Sequence, residues 1–158
     1  VNPYTVDASN ATAIFLGDFV AAEADGNIAP AAAAGVILGV VAGVADDYDD
    51  LSRRYLPAST AGTVMVVDDP EIIFELQEDD GGTALTAAAR GANVEIVAGA
   101  GSTTTGISAH ELDQDSVTAA TAQLRLLRLV PRANNAYGDN ADWEVYINEH
   151  AYTTAAGV

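Results

Sequence analysis

The chain has no cysteine and no lysine, and only one Met and one Trp in 158 residues. Without Cys there is no disulfide framework, no thiolate nucleophile and no zinc–thiolate site, and the redox compartment leaves no mark on the composition. Without Lys, amine catalysis is excluded. The six basic residues are all Arg (Arg53, Arg54, Arg90, Arg125, Arg128 and Arg132) and face 23 Asp and Glu, for a formal charge of -17. A phosphate-neutralising surface needs clustered Lys and Arg, so nucleic-acid binding is excluded as the main function. Attraction to an anionic membrane is excluded for the same reason. Aromatics are scarce at 6%.

What is present is apolar and small. Hydrophobic residues make up 49% and charged ones 18%. Much of the apolar share is Ala and Val, which predicts a core of small and β-branched side chains. Disorder would need low hydrophobicity alongside the charge, so the chain is read as globular, and its length suits one domain spanning residues 1–158. A start at Val1 fits removal of an initiator Met before a small residue. The acid excess without Lys has two readings: an acidic surface that keeps the protein soluble, or adaptation to high salt, where ions screen the self-repulsion.

Charge is distributed unevenly. Residues 1–80 hold 15 acids and 2 Arg (-13), and residues 81–158 hold 8 acids and 4 Arg (-4). The acids gather at turn-like places: Asp46-Asp47-Tyr48-Asp49-Asp50, Asp68-Asp69-Pro70-Glu71 and Glu78-Asp79-Asp80-Gly81-Gly82. Short apolar runs lie between them, the pattern of an all-β sandwich or barrel with long loops and little helix. Strands are expected near residues 13–17, 18–22, 36–44, 63–67, 71–77, 93–98, 123–130 and 143–148. Asp25-Gly26-Asn27 has hairpin-turn chemistry. Residues 116–128 also fit a helix by the spacing of Leu124 with Leu127 and Arg125 with Arg128. The preferred strand reading needs a bulge near Leu126-Leu127 to keep its faces in register. Residues 1–12 are read as a candidate extended arm.

Several motifs invite a functional reading. Residues 28–45 carry no charge, and Gly35, Gly39 and Gly43 repeat at the spacing that lets membrane helices pack closely. The flanks are acidic and lack aromatic anchors, against the rule for spanning segments. The alternative is an Ala-rich loop leading into a buried strand, with its glycines at bulges or close backbone approaches. Glu23, Asp25 and Asn27 alternate around Gly26 and are the candidate Ca²⁺ ligands. Gly26 falls at position four, where the calcium loop wants it at six, and the bland reading is a solvated turn. Asp46–Asp50 and Asp79-Asp80 are similar. His110 and His150 lack metal-ligand spacing, there is no G-x-S-x-G elbow, and structural hydrogen-bonding roles are expected for both. No cofactor is implied. Arg125, Arg128 and Arg132 are the one concentration of positive charge, suited to pairing with carboxylates within the chain or across a contact. Trp143 joins them as an interface candidate, and it is also the aromatic that a glycan-binding module would use.

Read in order, a set of short strings resembles the head decoration, or capsid cement, proteins of tailed viruses. They are Ile14-Phe15-Leu16-Gly17-Asp18-Phe19-Val20, Ala24-Asp25-Gly26, Ile37-Leu38-Gly39-Val40 with Gly43-Val44, and Tyr55-Leu56-Pro57-Ala58. Asp68-Asp69-Pro70 with Phe74-Glu75-Leu76-Gln77 follows, then Leu129-Val130-Pro131, Asn134-Asn135 with Gly138, and Val145-Tyr146-Ile147-Asn148-Glu149-His150. The resemblance covers nearly the whole chain. It implies a β-rich, non-enzymatic virion protein on the outer capsid surface. Such a protein binds the major capsid protein at capsomer junctions as a homotrimer, with a dimer or pentamer as alternatives. A turret, spike base or adhesin is the neighbouring role. The charge and the missing Lys depart from the family's usual run, and imply a high-GC or salt-loving host, bacterial or archaeal.

Overall fold

A computed structural model of the chain describes residues 1–45 and 50–153. The chain is mainly β, with thirteen strands among the described residues and two single 3₁₀ turns, Ala87–Ala89 and Gln114–Ser116. Strands β1 (Asn2–Val6), β3 (Phe19–Ala22), β4 (Ile28–Pro30), β5 (Gly39–Val44) and β7 (Gly62–Val67) form an antiparallel sheet in the order β1-β7-β5-β3-β4. Its outermost strands, β1 and β4, return into contact, and the Thr5 hydroxyl donates to Asn27 Oδ1 across them at 2.8 Å. The sheet is therefore curled into a barrel-like layer. Inside it lie Val6, Val20, Ile28, Val41, Val64 and Val66, and the short pair β2 (Ile14–Phe15) and β6 (Tyr55–Leu56) adds Ile14 and Leu56 to the same cluster. The Val-rich composition suits this space, because β-branched side chains pack well on a pleated surface.

The second sheet is β8 (Ile73–Gln77), β13 (Asp142–Ile147), β12 (Leu124–Leu129) and β9 (Asn93–Val94), in that order. Alternation sends Trp143, Val145 and Ile147 inward, beside Leu124 and Leu126. They meet Phe19, which points out of the barrel while its neighbour Val20 points in. A hairpin of β10 (Ile96–Gly99) and β11 (Ala109–Leu112) adds Ile96 and Leu112 to this larger core. Two cores thus sit on opposite faces of β3.

Residues 124–129 form a strand, and its pairing with β13 slips between Leu126 and Arg128, the bulge that the strand reading required. Residues 28–45 carry β4 and β5, and no helix among the described residues is long and apolar enough to cross a membrane. The glycine spacing there serves the sheet. A Cβ on Gly39 would run into the Val67 carbonyl, and Gly43 closes the bulge that starts at Val41. The turn at residues 23–27 is a hairpin turn with Gly26 at φ +88°, where glycine is favoured. One expectation is corrected: residues 2–6 are no arm, since they pair with β7 along their whole length as an edge strand. The apolar Val6 at the end of that strand has the barrel interior to fill.

Candidate interface and buried polar sites

The outer face of the second sheet gathers the arginines. Alternation on β12 turns Arg125 outward, and the bulge turns Arg128 the same way, opposite Glu144 on β13. Arg128 Nε donates to Glu144 Oε2 at 2.8 Å. Arg125 Nε donates to Asn93 Oδ1 at 2.9 Å, and Arg132 binds the Glu75 carboxylate, with Asp142 at 3.4 Å. Internal pairing therefore accounts for Arg128 and Arg132. Arg90 joins Arg125 and Arg128 around an open depression of about 460 Å³, which also contains Ile73 and Glu144. Ile73 is 55% exposed. Four of the six Arg thus share one sheet face with an exposed aliphatic side chain. Arg90 escaped the sequence reading because it is remote in the chain and reaches the others only through the fold.

Trp143 corrects an expectation. Its residue is fully buried, so it offers neither an interface contact nor a platform for a sugar ring. The register opposite Leu76 and Leu129 turns it inward. Its indole Nε1 donates to Glu78 Oε2 at 2.7 Å, and Glu78 is itself fully buried with Oε1 meeting no donor in hydrogen-bonding geometry. Burial pushes the Glu78 carboxyl above its ordinary value, opposed by the Trp143 bond.

Among the described residues no three His, Asp or Glu come together as a metal site. At the candidate calcium turn, Asp25 is spent on Asn27, accepting from its backbone N–H at 3.0 Å and its side chain at 2.9 Å. Those bonds hold the Asp25 carboxyl below the usual range. Asn27 Oδ1 is in turn taken by Thr5, so Glu23, Asp25 and Asn27 make a closed turn. Asp79 Oδ1 accepts the Gln114 N–H at 3.0 Å. Asp46–Asp49 lie outside the described residues. A chelator is expected to leave the melting temperature unchanged; a fall on chelation, reversed by added Ca²⁺, would show a site these contacts do not reveal.

Both histidines are buried and accept backbone N–H groups. His150 Nδ1 takes the Tyr152 N–H at 3.1 Å, where residues 150–151 bridge to Ile37. Nearby, Asp68 accepts from Asn2 and from the Tyr4 hydroxyl at 2.6 Å, and Tyr4 also meets the Tyr152 hydroxyl. This chain of polar groups joins the first strand to the end of the described chain. His110 Nδ1 takes the Phe19 N–H at 3.2 Å, while Nε2 lies 3.6 Å from Asp18 Oδ1. Asp18 Oδ2 accepts the Phe15 N–H at 2.8 Å. Acids expected in solvated turns thus include Asp68 and Glu78, which are buried along with Asp18.

Comparison with protein families, with curated proteins and with solved structures finds no match to the chain in any of the three.

Proposed function

We infer that the chain is a structural virion protein that binds the major capsid protein at capsomer junctions of a tailed virus and decorates the outer capsid surface as a homotrimer. The observation that carries this reading is the sheet face bearing Arg90, Arg125, Arg128 and Arg132 beside exposed Ile73, the one concentration of positive charge in an otherwise acidic chain. The ordered strings that resemble decoration proteins supply the kind of particle. A chain that works by covering a shell needs contact area and copy number, and a sheet face with arginines beside an exposed aliphatic side chain supplies such area. Glu75, Asp142 and Glu144 pair with arginines of this face, and the acid excess on the rest of the surface would keep particles apart.

The test is addition of the purified protein to capsids that lack it. Saturable binding is expected. The double variant Arg125→Glu with Arg128→Glu should weaken it by at least about tenfold while the isolated protein stays folded, because reversing interfacial charges creates like-charge contacts. Particles that accept another virion protein but not this one would overturn the reading. Undiminished binding of the double variant would move the contact to another face.

A further inference from the structure

The Asp18–His110 pair lies at a cleft of about 340 Å³ between the barrel and the β10–β11 hairpin. Its walls are small and apolar: Ala13, Pro30, Ala98, Gly99 and Ala100, with Thr103 at the exposed rim. Asp18 is the acidic group of the lining, whose other polar side chains are Thr12, Thr103 and His110. Asp18 is 2% exposed, and its Oδ1 has no hydrogen-bond partner. A buried carboxyl oxygen without a donor is costly, and the cost falls when a cation or donor is brought to it. His110 does not supply that cation. Its Nδ1 accepts the Phe19 N–H, so the ring proton sits on Nε2 and the ring is neutral. The Nε2 to Oδ1 distance of 3.6 Å is too long for a hydrogen bond.

We propose that this cleft receives the lysine side chain of a partner protein, its methylene stem along the Ala/Gly/Pro walls and its ammonium on Asp18 Oδ1. Only one Asp18 oxygen is free, since Oδ2 is held by Phe15. An ammonium is a point charge that one oxygen satisfies, whereas the planar fork of an arginine reaches its full strength only on two acceptors side by side. An anionic head is opposed by the carboxyl and by the net charge of -17. This chain has no Lys, so a second copy of itself cannot supply that side chain, and the lysine comes from a different protein. The assignment does not rest on the capsid reading, and the two assays fail independently.

The experiment is an NMR titration of the ¹⁵N-labelled full chain, at fixed ionic strength, with the peptide acetyl-Gly-Gly-Lys-Gly-Gly-amide. Saturable shifts are expected at Phe19, His110 and residues 99–101. The same peptide carrying acetyl-lysine or norleucine should bind at least about tenfold more weakly, the loss expected when a bond to a charged group is removed. Asp18→Asn keeps an oxygen for the Phe15 N–H and should weaken the lysine peptide by a similar factor. Ala98→Leu, at the exposed rim, fills the cleft with Asp18 intact and should do the same. Absence of saturable shifts, equal binding of the acetyl-lysine peptide, or full-strength binding to Asp18→Asn overturns the proposal. Binding of n-butylammonium without binding of the peptide also overturns it, by pointing to a free amine.

Discussion

Trp143→Phe is expected to destabilise the protein by about 2–4 kcal/mol near neutral pH, in denaturant unfolding, through lost packing and a lost bond to an acid. The indole fills the larger core at full burial and donates to Glu78. Phenylalanine leaves a void and removes the indole donor to the Glu78 carboxylate. The pH dependence carries the sign. Glu78 has a folded pKa raised by burial above its unfolded one. Its contribution to stability is complete below the unfolded value and is lost as pH rises through the folded value. Losing the Trp143 bond, which favours the ionised form, raises the folded value further. The deficit of Trp143→Phe relative to wild type should therefore grow with rising pH over the range in which Glu78 ionises in the folded state. A deficit that stays constant over that range would mean that only packing was lost.

Gln123→Leu is expected to cost about 3–5 kcal/mol, since buried polar groups left without partners lose about 1–3 kcal/mol each. Gln123 is fully buried at the entrance to β12. Its amide donates to the carbonyls of Ala32 at 2.8 Å and Gly35 at 2.7 Å, and its oxygen accepts the Ile96 N–H at 3.1 Å. Its own carbonyl accepts from Asn148 and Glu149. One residue thus ties the loop leading into β5, the β10 strand and the end of β13. Leucine matches the size and makes none of the three side-chain bonds. Gln123→Glu should lose nearly as much near neutral pH, because a carboxylate cannot donate to the two carbonyls. It should recover part of the loss in acid, where a protonated carboxyl donates once. Full stability of either variant would show that water replaces these bonds.

Most strands were legible because their apolar residues alternate and their turns carry Gly, Asn and Asp. The run Trp143-Glu144-Val145-Tyr146-Ile147 could be assigned its two faces from period alone, and the bulge at Leu126 followed from the break in period within residues 123–130. The strands that escaped were short or lacked contrast. β6 is two residues, β4 ends in Pro30, and β11 is Ala-His-Glu-Leu, where an inward histidine resembles a polar position. β1 carries little periodic signal, since only Val6 among its residues is fully buried. Period says which residues share a face, but not which face is covered. That is why Trp143 was placed at a contact surface although its partners Val145 and Ile147 were core residues. Asp18, Asp68 and Glu78 look like any turn acid in sequence, and their burial comes from strands far away in the chain. The arginine cluster was legible in three members out of four. The roles of Gln123 and of the Asp18–His110 pair depend on partners too distant in sequence for any local signal.

The order of the two layers along the chain bears on synthesis. Every strand of the barrel-like sheet lies within residues 2–67, and the sheet that covers Phe19 is built from residues 73–147. During translation the first layer is complete while its outward aromatic still lacks a cover. The seal between Tyr4 and Tyr152 waits longer still. Such long-range closure is slow and leaves apolar surface bare in the interval. The acids concentrated in the first 80 residues make nascent chains repel one another during that interval, so the charge acts as a kinetic safeguard before it acts as a surface.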